Sequence, residues 1–288
     1  MSSACLLASA SASSSMNVFQ LGNYTVSVFP VNPQSTVSPL TNSFYSQLIQ
    51  HIASHGYIVI APQLFEIDEM ESAKGVTEWL SNGLGSVLPP MVRPNLSKAA
   101  LGGHSRGGKI AFALALSYTS NPPSSNGIKY SALVGIDPVE GPRKGMPLPP
   151  IVLTYVPRSF DLDMAALVVG SGLGEIRTSA LIHACAPKGV NHKEYFNECR
   201  LPAYHFVVKD YGHMDTLDDV TRGIKGIATY RACKSGKSRE PMRTFVGGIT
   251  IAFLKAYLEG DHSHLNAIKD GKDISLPVEL QTVECLED

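Results

Sequence analysis

Residues 101–108 read Leu-Gly-Gly-His-Ser-Arg-Gly-Gly and contain the pattern Gly-x-Ser-x-Gly. An apolar run predicts a strand before this pattern, and a segment of helical period predicts a helix after it. In that context the pattern forms a sharp turn that exposes its serine, and the glycines leave room for the strained backbone. The pattern therefore predicts Ser105 as a nucleophile. The start of the helix predicts the backbone N–H of Arg106 as a donor to a developing oxyanion.

A serine hydroxyl is a weak nucleophile at neutral pH and needs a histidine base, which in turn needs a carboxylate to fix its tautomer. The chain has nine histidines. His213 lies in a loop directly after a predicted strand at residues 205–209, which is where such a base meets the serine. His104 is adjacent to the serine and is predicted to pack rather than to react. Four others lie in an amphipathic helix or a polar tail and are predicted to be structural or solvated: His51, His55, His262 and His264.

Asp137 directly follows a strand predicted at residues 131–136, so its carboxylate should lie at the sheet edge that carries the serine. The chain order Ser105, Asp137, His213 is also the order in which α/β-hydrolases carry their catalytic triad. We therefore predict Asp137 as the acid. The alternative acids lie around the next strand, where Glu175 fits better than the two that precede it, Asp161 and Asp163.

The elements that must position these residues follow an alternating pattern. Short β-branched runs alternate with longer segments of helical period, which predicts an α/β architecture with a mainly parallel sheet flanked by helices. The predicted strands are 24–29, 57–61, 98–102, 131–136, 167–170 and 205–209, with a weaker pattern at 151–155. The predicted helices are 44–54, 72–84, 107–118 and 243–258, and surface turns are predicted at 121–127 and 140–150.

Composition excludes several classes of function. The chain has 288 residues, and 24 basic against 25 acidic residues give a net charge of −1, so no overall field draws it to nucleic acid. With 44% hydrophobic residues, disorder cannot be the main state. No apolar run approaches the ~18–20 residues that span a bilayer. We therefore expect a protein that at most contacts a membrane peripherally, and the sequence leaves its oligomeric state open.

The N-terminal region differs in composition from the rest. Residues 1–16 are mostly Ser and Ala, and residues 1–65 contain no Asp, Glu, Lys or Arg. This composition predicts a leader or a disordered tail over residues 1–17. A single domain of the α/β-hydrolase fold is then expected over residues 18–288.

Five cysteines are scattered without a Cys-x-x-Cys spacing, which favours free thiols. A disulfide between Cys185 and Cys199 is the alternative. A metal set could be drawn from four ligand types within 17 positions, but their spacing matches no tight zinc pattern and a triad hydrolase needs no metal. We therefore expect no metal and no cofactor. The four residues are His183, Cys185, His192 and Cys199.

Several segments together resemble plant chlorophyllases, from about residue 42 to residue 286. The segments are GHSRGGK at 103–109, GIDPV at 135–139, FDLD at 160–163, GSGLG at 170–174, NHKE at 191–194 and DYGHMD at 210–215. The resemblance implies an α/β-hydrolase that cleaves the phytyl ester of chlorophyll to chlorophyllide and phytol. It maps the triad of the family onto Ser105, Asp137 and His213. It also implies chlorophyll catabolism in the chloroplast, with the cytosol, the endoplasmic reticulum or the vacuole as alternative locations.

One segment departs from the family pattern. The family has a strand ending in His-Gly before the segment that corresponds to residues 42–48, whereas residues 31–41 here are polar and lack His-Gly. About thirty residues are missing by this comparison. We therefore expect a gap in the sheet between the strands at 57–61 and 98–102. We also expect the loss of a second oxyanion donor, which costs about 2.7–4 kcal/mol.

Three functions remain open from the sequence. The first is chlorophyll hydrolysis by the triad. The second keeps the triad but changes the substrate to another ester, as in related esterases and lipases. The third is a catalytically impaired splice variant or truncated product that binds pigment without cleaving it.

Overall fold

The computed structural model describes residues 2–9, 17–24, 42–62, 69–120, 128–180, 182–221, 223–273 and 275–287, with the backbone alone for residues 2–9, 118–120 and 223–225. Within this part of the chain, seven strands form one sheet. They are β1 (Ser2–Ser9), β2 (Tyr57–Ile60), β3 (Asn95–Ser105), β4 (Tyr130–Ile136), β5 (Ala165–Ser171), β6 (Ala203–Val208) and β7 (Leu280–Leu286). Their order across the sheet is β2-β1-β3-β4-β5-β6-β7.

The centre of the sheet is parallel. Strands β3 to β6 pair as parallel neighbours, and β2 runs in the same direction because β1 is antiparallel to both β2 and β3. At the far edge, β7 is antiparallel to β6. The carboxyl ends of five strands therefore meet at one edge of the sheet. The predicted α/β architecture with a mainly parallel sheet is confirmed.

Helices cover both faces of this sheet, as the apolar runs of its central strands require. One face packs against α1, α6 and α7, and the other packs against α2, α3 and α4. The helices are α1 (Ser46–Ser54), α2 (Glu69–Val87), α3 (Arg106–Ser120), α4 (His192–Glu198), α5 (Gly223–Arg231), α6 (Glu240–Leu254) and α7 (Ser263–Lys269). A 3₁₀ turn at Asn42–Tyr45 precedes α1, and a π-helical turn at Lys255–Glu259 extends α6. Among the described helices, none combines the length and apolarity needed to cross a bilayer.

The N-terminal segment corrects two expectations. Strand β1 lies between β2 and β3, at the position where the sequence predicts a gap, and pairs with both neighbours. Residues 2–9 of the predicted leader or disordered tail form this strand, and the boundary at residue 17 stays a prediction. The physical reason is that two strands two spacings apart would each leave a row of N–H and C=O groups unpaired. An uncharged segment without proline can satisfy both rows.

Most of the other predicted elements are present. The four predicted helices correspond to α1, α2, α3 and α6 with its π-helical turn. The strand predicted at 151–155 is wrong, because that segment is irregular. The strand predicted at 24–29 and the turn predicted at 121–127 lie outside the described residues, except for Tyr24. The sequence did not predict β1, β7, α4, α5 or α7.

The cysteine pairing also differs from the expectation. Cys185 forms a disulfide with Cys233, across 48 positions of sequence. The predicted alternative partner, Cys199, is a free, buried thiol, and Cys285 is also free. The expectation of free thiols is therefore wrong for Cys185 and Cys233, and the alternative Cys185–Cys199 pairing is also wrong. Burial raises the pKa of the Cys199 thiol above its usual range, which makes this group a poor source of thiolate.

Candidate active site

Ser105 occupies a tight turn between β3 and α3. It is the last residue of the strand and has a backbone φ of +57°, in the left-handed region that L-residues rarely adopt. A Cβ on Gly103 would lie 2.3 Å from the backbone carbonyl of Gly107, and a Cβ on Gly108 would lie 2.9 Å from the oxygen of Gly103. The two glycines therefore let the strand and the helix approach closely. This close approach projects the Ser105 side chain from the edge of the sheet.

The structure brings Ser105, His213 and Asp137 into one hydrogen-bonded chain. The Ser105 Oγ lies 2.8 Å from Nε2 of His213, and Nδ1 of His213 lies 2.8 Å from Oδ2 of Asp137. The carboxylate accepts the Nδ1–H, which leaves Nε2 as an acceptor for the serine proton. This is the arrangement of an activated serine nucleophile.

Asp137 is held in place by the end of β5. It follows β4 with a φ of +43°, and its N–H donates to the carbonyl of Val169 at 2.6 Å. The Ser171 hydroxyl donates to the Asp137 carboxylate. Burial by itself would raise the pKa of Asp137, but the hydrogen bond and the charge interaction with His213, with smaller effects of His192 and Ser171, outweigh it and lower this pKa to about 2. The carboxylate therefore stays ionised at neutral pH.

The loop that carries His213 is anchored at several points. The Asp215 carboxylate accepts the backbone N–H groups of Gly212 and Gly236, each at 2.7 Å. The Asp218 carboxylate accepts the N–H groups of Ser46 and Gln47 at the start of α1. Two arginines of the α6 segment also bind carbonyl oxygens of this loop, Arg239 to Asp218 and Arg243 to Leu217. These contacts fix the His213 loop against two helices.

Arg106, the predicted oxyanion donor, is the first residue of α3. Its backbone N–H therefore belongs to the first turn of the helix, where N–H groups have no partner within the helix. The side chain points elsewhere: Nε lies 2.6 Å from Oε2 of Glu69, and an Nη atom lies 2.9 Å from the carbonyl of Pro149. These bonds keep the guanidinium away from the backbone donor.

Sequence reasoning missed a buried ion pair one turn beyond the nucleophile. Lys109 and Glu140 are both at most 1% exposed, with Nζ 3.6 Å from Oε1. Glu140 also accepts the Val152 N–H and the Tyr195 hydroxyl, and Lys109 donates to carbonyls of the 140–150 loop. Burial lowers the pKa of Lys109 to about 8. The sequence signals for this pair were the lysine in GHSRGGK and the glutamate after GIDPV. The pair connects the loop after Asp137 to α3.

His104 packs beneath His213, as the sequence predicts. Its Nε2 lies 2.8 Å from the backbone carbonyl of His213, and its Nδ1 lies 2.7 Å from the Tyr45 hydroxyl. The two imidazole rings are 4.6 Å apart between centroids. Burial, with a smaller effect of the neighbouring His213, lowers the pKa of His104 to about 3.

The alternative acids lie elsewhere. Glu175 binds the side chains of Asn191 and Lys193, and Asp161 pairs with Arg200 on the surface. Neither is hydrogen-bonded to His213 in the structure. Asp137 alone among these candidates is joined to the predicted base.

Several of the remaining histidines have structural partners. His51 binds the carbonyls of Val18 and Gln20, and His55 binds the carbonyl of Gln20. His262 rests edge-on against Tyr257. The residues considered as a metal set have other partners: Cys185 is in a disulfide, His192 binds His205, and Cys199 donates to the Tyr195 carbonyl. Among the described residues, no three His, Cys, Asp or Glu side chains are grouped to hold a metal.

Comparison with known proteins points to one family. A sequence model of the family described as chlorophyllase matches residues 20–287. The chain is 56% identical over 257 residues to Chlorophyllase-2 of Arabidopsis thaliana, covering 86% of this chain and 79% of that protein. It is 43% identical over 256 residues to Chlorophyllase-1 of Arabidopsis thaliana, covering 86% and 78%. It is also 43% identical over 259 residues to the protein named Chlorophyllase-1, chloroplastic, of Citrus unshiu, covering 86% and 74%. The chain belongs to the chlorophyllase family.

Proposed function

We propose that this protein hydrolyses the phytyl ester of chlorophyll and releases chlorophyllide and phytol. The observation that carries the proposal is the hydrogen-bonded chain from Ser105 through His213 to Asp137. Such a chain supports acyl transfer from an ester. The substrate class follows from membership of the chlorophyllase family and from the names of the relatives.

The reaction would begin with attack of the Ser105 Oγ on the ester carbonyl carbon. His213 Nε2 takes the serine proton, and the backbone N–H of Arg106 stabilises the oxyanion. His213 then gives this proton to the phytol oxygen as the C–O bond breaks, which leaves an acyl-enzyme on Ser105. Water attacks the acyl-enzyme by the same route, and chlorophyllide departs. Asp137 stays ionised throughout, since its pKa is lowered to about 2, and it stabilises the imidazolium of His213.

Exposed apolar side chains on the segment that the Arg106 side chain binds support a lipophilic substrate. Pro149 is bound by the Arg106 side chain, and two large apolar side chains near it in sequence, Leu148 and Ile151, are 47% and 69% exposed. Exposed apolar side chains in such a place are typical of surfaces that contact lipids or apolar ligands. We therefore include peripheral membrane contact in the proposal, and a plastid location on the strength of the Citrus names. We also propose that residues 18–288, together with strand β1, act as one domain around this site.

The assay compares the unmodified protein with Ser105→Ala on chlorophyll, with chlorophyllide measured by chromatography. We expect Ser105→Ala to lose at least about 10³-fold in kcat, because no other group can form the acyl-enzyme. Ser97→Ala is the matched control, since it removes an exposed hydroxyl from the same strand. Equal activity of Ser105→Ala and the unmodified protein would overturn the mechanism. Preference for short p-nitrophenyl esters over chlorophyll would overturn the substrate.

A second candidate function, pigment binding without hydrolysis, is favoured by the antiparallel direction of β1. In the family, the strand at this place leads into the loop that holds a second oxyanion donor, whereas β1 brings its amino end to Ser105. A single donor would leave the oxyanion under-stabilised by about 2.7–4 kcal/mol. Labelling of Ser105 by a fluorophosphonate separates the two functions, because labelling requires an activated serine.

A further inference from the structure

We propose that Tyr45 and His104 are positioning residues that fix the catalytic base by holding its backbone carbonyl. This inference rests on the proposed role of His213 as that base. It concerns a second set of contacts to His213, separate from the Asp137 carboxylate that binds its ring.

The direction of the hydrogen bonds defines one state of His104. A backbone carbonyl can only accept, so the His104 Nε2 that lies 2.8 Å from the His213 oxygen must carry a proton. In the neutral ring the other nitrogen, Nδ1, is then an acceptor, and it receives the Tyr45 hydroxyl proton at 2.7 Å. The chain of donors therefore runs from Tyr45 to His104 to the backbone of His213. The Tyr45 hydroxyl selects the tautomer that can hold this carbonyl.

The position of His104 also requires it to stay uncharged. Its ring lies 4.6 Å from the ring of His213, which becomes an imidazolium during the reaction. A second positive charge at this distance would oppose that step. Burial keeps the pKa of His104 far below neutrality. The pair therefore supplies a fixed, neutral support beneath the base.

Tyr45 itself is well anchored. It closes the 3₁₀ turn before α1 and is 7% exposed. The neighbouring Phe44 carbonyl accepts the N–H of Asp218, and the Asp218 carboxylate holds the start of α1. Both Asp218 and His213 belong to one loop. The N-terminal end of α1 and the loop of the base are therefore joined at two independent points, of which Tyr45–His104 is the one nearer the reacting atoms.

The test uses Tyr45→Phe, which removes the hydroxyl and keeps the ring. We expect kcat on chlorophyll to fall by about 3- to 10-fold, the effect of one lost hydrogen bond on the placement of the base, while KM stays within about twofold. Tyr57→Phe is the matched control, because Tyr57 is also buried and donates its hydroxyl to Glu259 at 2.7 Å, away from the triad. Thermal melting of both variants reports whether stability alone has changed.

A pair of substitutions at His104 gives the rescue. Gln at this position can donate through its amide NH₂ and accept through its oxygen, whereas Leu can do neither. We expect His104→Gln to retain at least about fivefold more kcat than His104→Leu. Equal rates of these two variants would overturn the positioning role, and so would a Tyr45→Phe rate equal to that of Tyr57→Phe.

A second readout separates this inference from the proposed function. The rate of fluorophosphonate labelling reports the activation of Ser105 whatever the natural substrate is. If the protein does not cleave chlorophyll, Tyr45→Phe should still slow labelling by about 3- to 10-fold. Unchanged labelling in Tyr45→Phe would contradict the inference, while the Ser105→Ala assay judges the substrate.

Discussion

His104 and His213 form one buried imidazole pair, and His192 and His205 form another, with ring centroids 4.6 and 5.1 Å apart. Each pair has a carboxylate on one member: Asp137 on His213 and Glu284 on His205, both at 2.8 Å. In the first pair, the far nitrogen of His213 faces a serine hydroxyl. In the second pair, the far nitrogen of His205 faces the His192 ring at 2.8 Å.

The difference lies in what surrounds each carboxylate. Asp137 is 1% exposed and accepts a second bond from Ser171, so it is fixed and ionised, whereas the Glu284 side chain is 55% exposed. Phe196 also covers the second pair, because its ring stacks on the His205 ring with 4.9 Å between the centroids. The residue types of the two pairs are the same, so they do not by themselves show which histidine can act as a base. A histidine–carboxylate pair becomes a base only where the second nitrogen meets a nucleophile and the carboxylate is rigid.

The largest effect is expected when the carboxylate of each pair is replaced by the corresponding amide. In Asp137→Asn the amide cannot hold His213 in the tautomer that accepts the serine proton, so we expect kcat to fall by about 10³- to 10⁴-fold. In Glu284→Gln we expect a change of less than about twofold. Steady-state rates on chlorophyll and fluorophosphonate labelling measure both. A loss in Glu284→Gln similar to that in Asp137→Asn would mean that the second pair belongs to the catalytic machinery.

The second test uses stability against pH. Burial lowers the pKa of His192 from 6.5 to about 4. Below pH 6.5 the unfolded chain binds a proton that the native protein does not, so the free energy of unfolding should fall as the pH drops from 6.5 to 4. At about 1.4 kcal/mol per pKa unit, His192 would account for about 3 kcal/mol of this loss.

Urea unfolding at several pH values measures the effect. We expect His192→Asn to remove close to one proton from the pH dependence between pH 6.5 and 4, because the variant has no titrating ring. His262→Asn is the control, since His262 is exposed. If the free energy of unfolding depended on pH equally in His192→Asn and His262→Asn, His192 would not be a buried, neutral imidazole in the native protein.

The predictable part of the molecule is the part in which local pattern and tertiary role agree. Strands β4, β5 and β6 are mostly apolar, and the turn at Ser105 has its glycines where the backbone requires them. The sequence pattern also predicts that Asp137 and His213 follow the ends of strands. Ser105, Asp137 and His213 could therefore be selected from the sequence alone.

The remainder depends on contacts that the chain pattern does not encode. The Ser- and Ala-rich segment of β1 has a weak strand signal and is ordered by unpaired groups on β2 and β3. Strand β7 is a partly exposed edge strand in which apolar and polar residues are mixed. The Cys185–Cys233 bridge and the Lys109–Glu140 pair join segments 48 and 31 positions apart. Sequence spacing carries no direct information on which distant partners meet.

The test with the smallest expected effect compares substitutions at two neighbouring residues of β5. One residue contacts the His192–His205 pair, and the other contacts the carboxylate bound to His213. A Cβ on Gly170 would lie 2.3 Å from Nδ1 of His192, whereas the Ser171 hydroxyl binds Asp137. We expect Gly170→Ala to lower the free energy of unfolding by about 1–3 kcal/mol through overpacking, with kcat per folded molecule changed by less than about twofold.

Ser171→Ala should lower kcat and leave the stability nearly unchanged. It removes one hydrogen bond from the Asp137 carboxylate and adds no atoms, so we expect kcat to fall by about 3- to 10-fold while the stability changes by about 1 kcal/mol or less. Chemical denaturation and rates normalised to the labelled fraction distinguish the two variants. A loss of kcat in Gly170→Ala as large as that in Ser171→Ala would show that His192 and Asp137 respond together, since a shift of the His192 ring would then reach the Asp137 carboxylate through adjacent residues of the same strand.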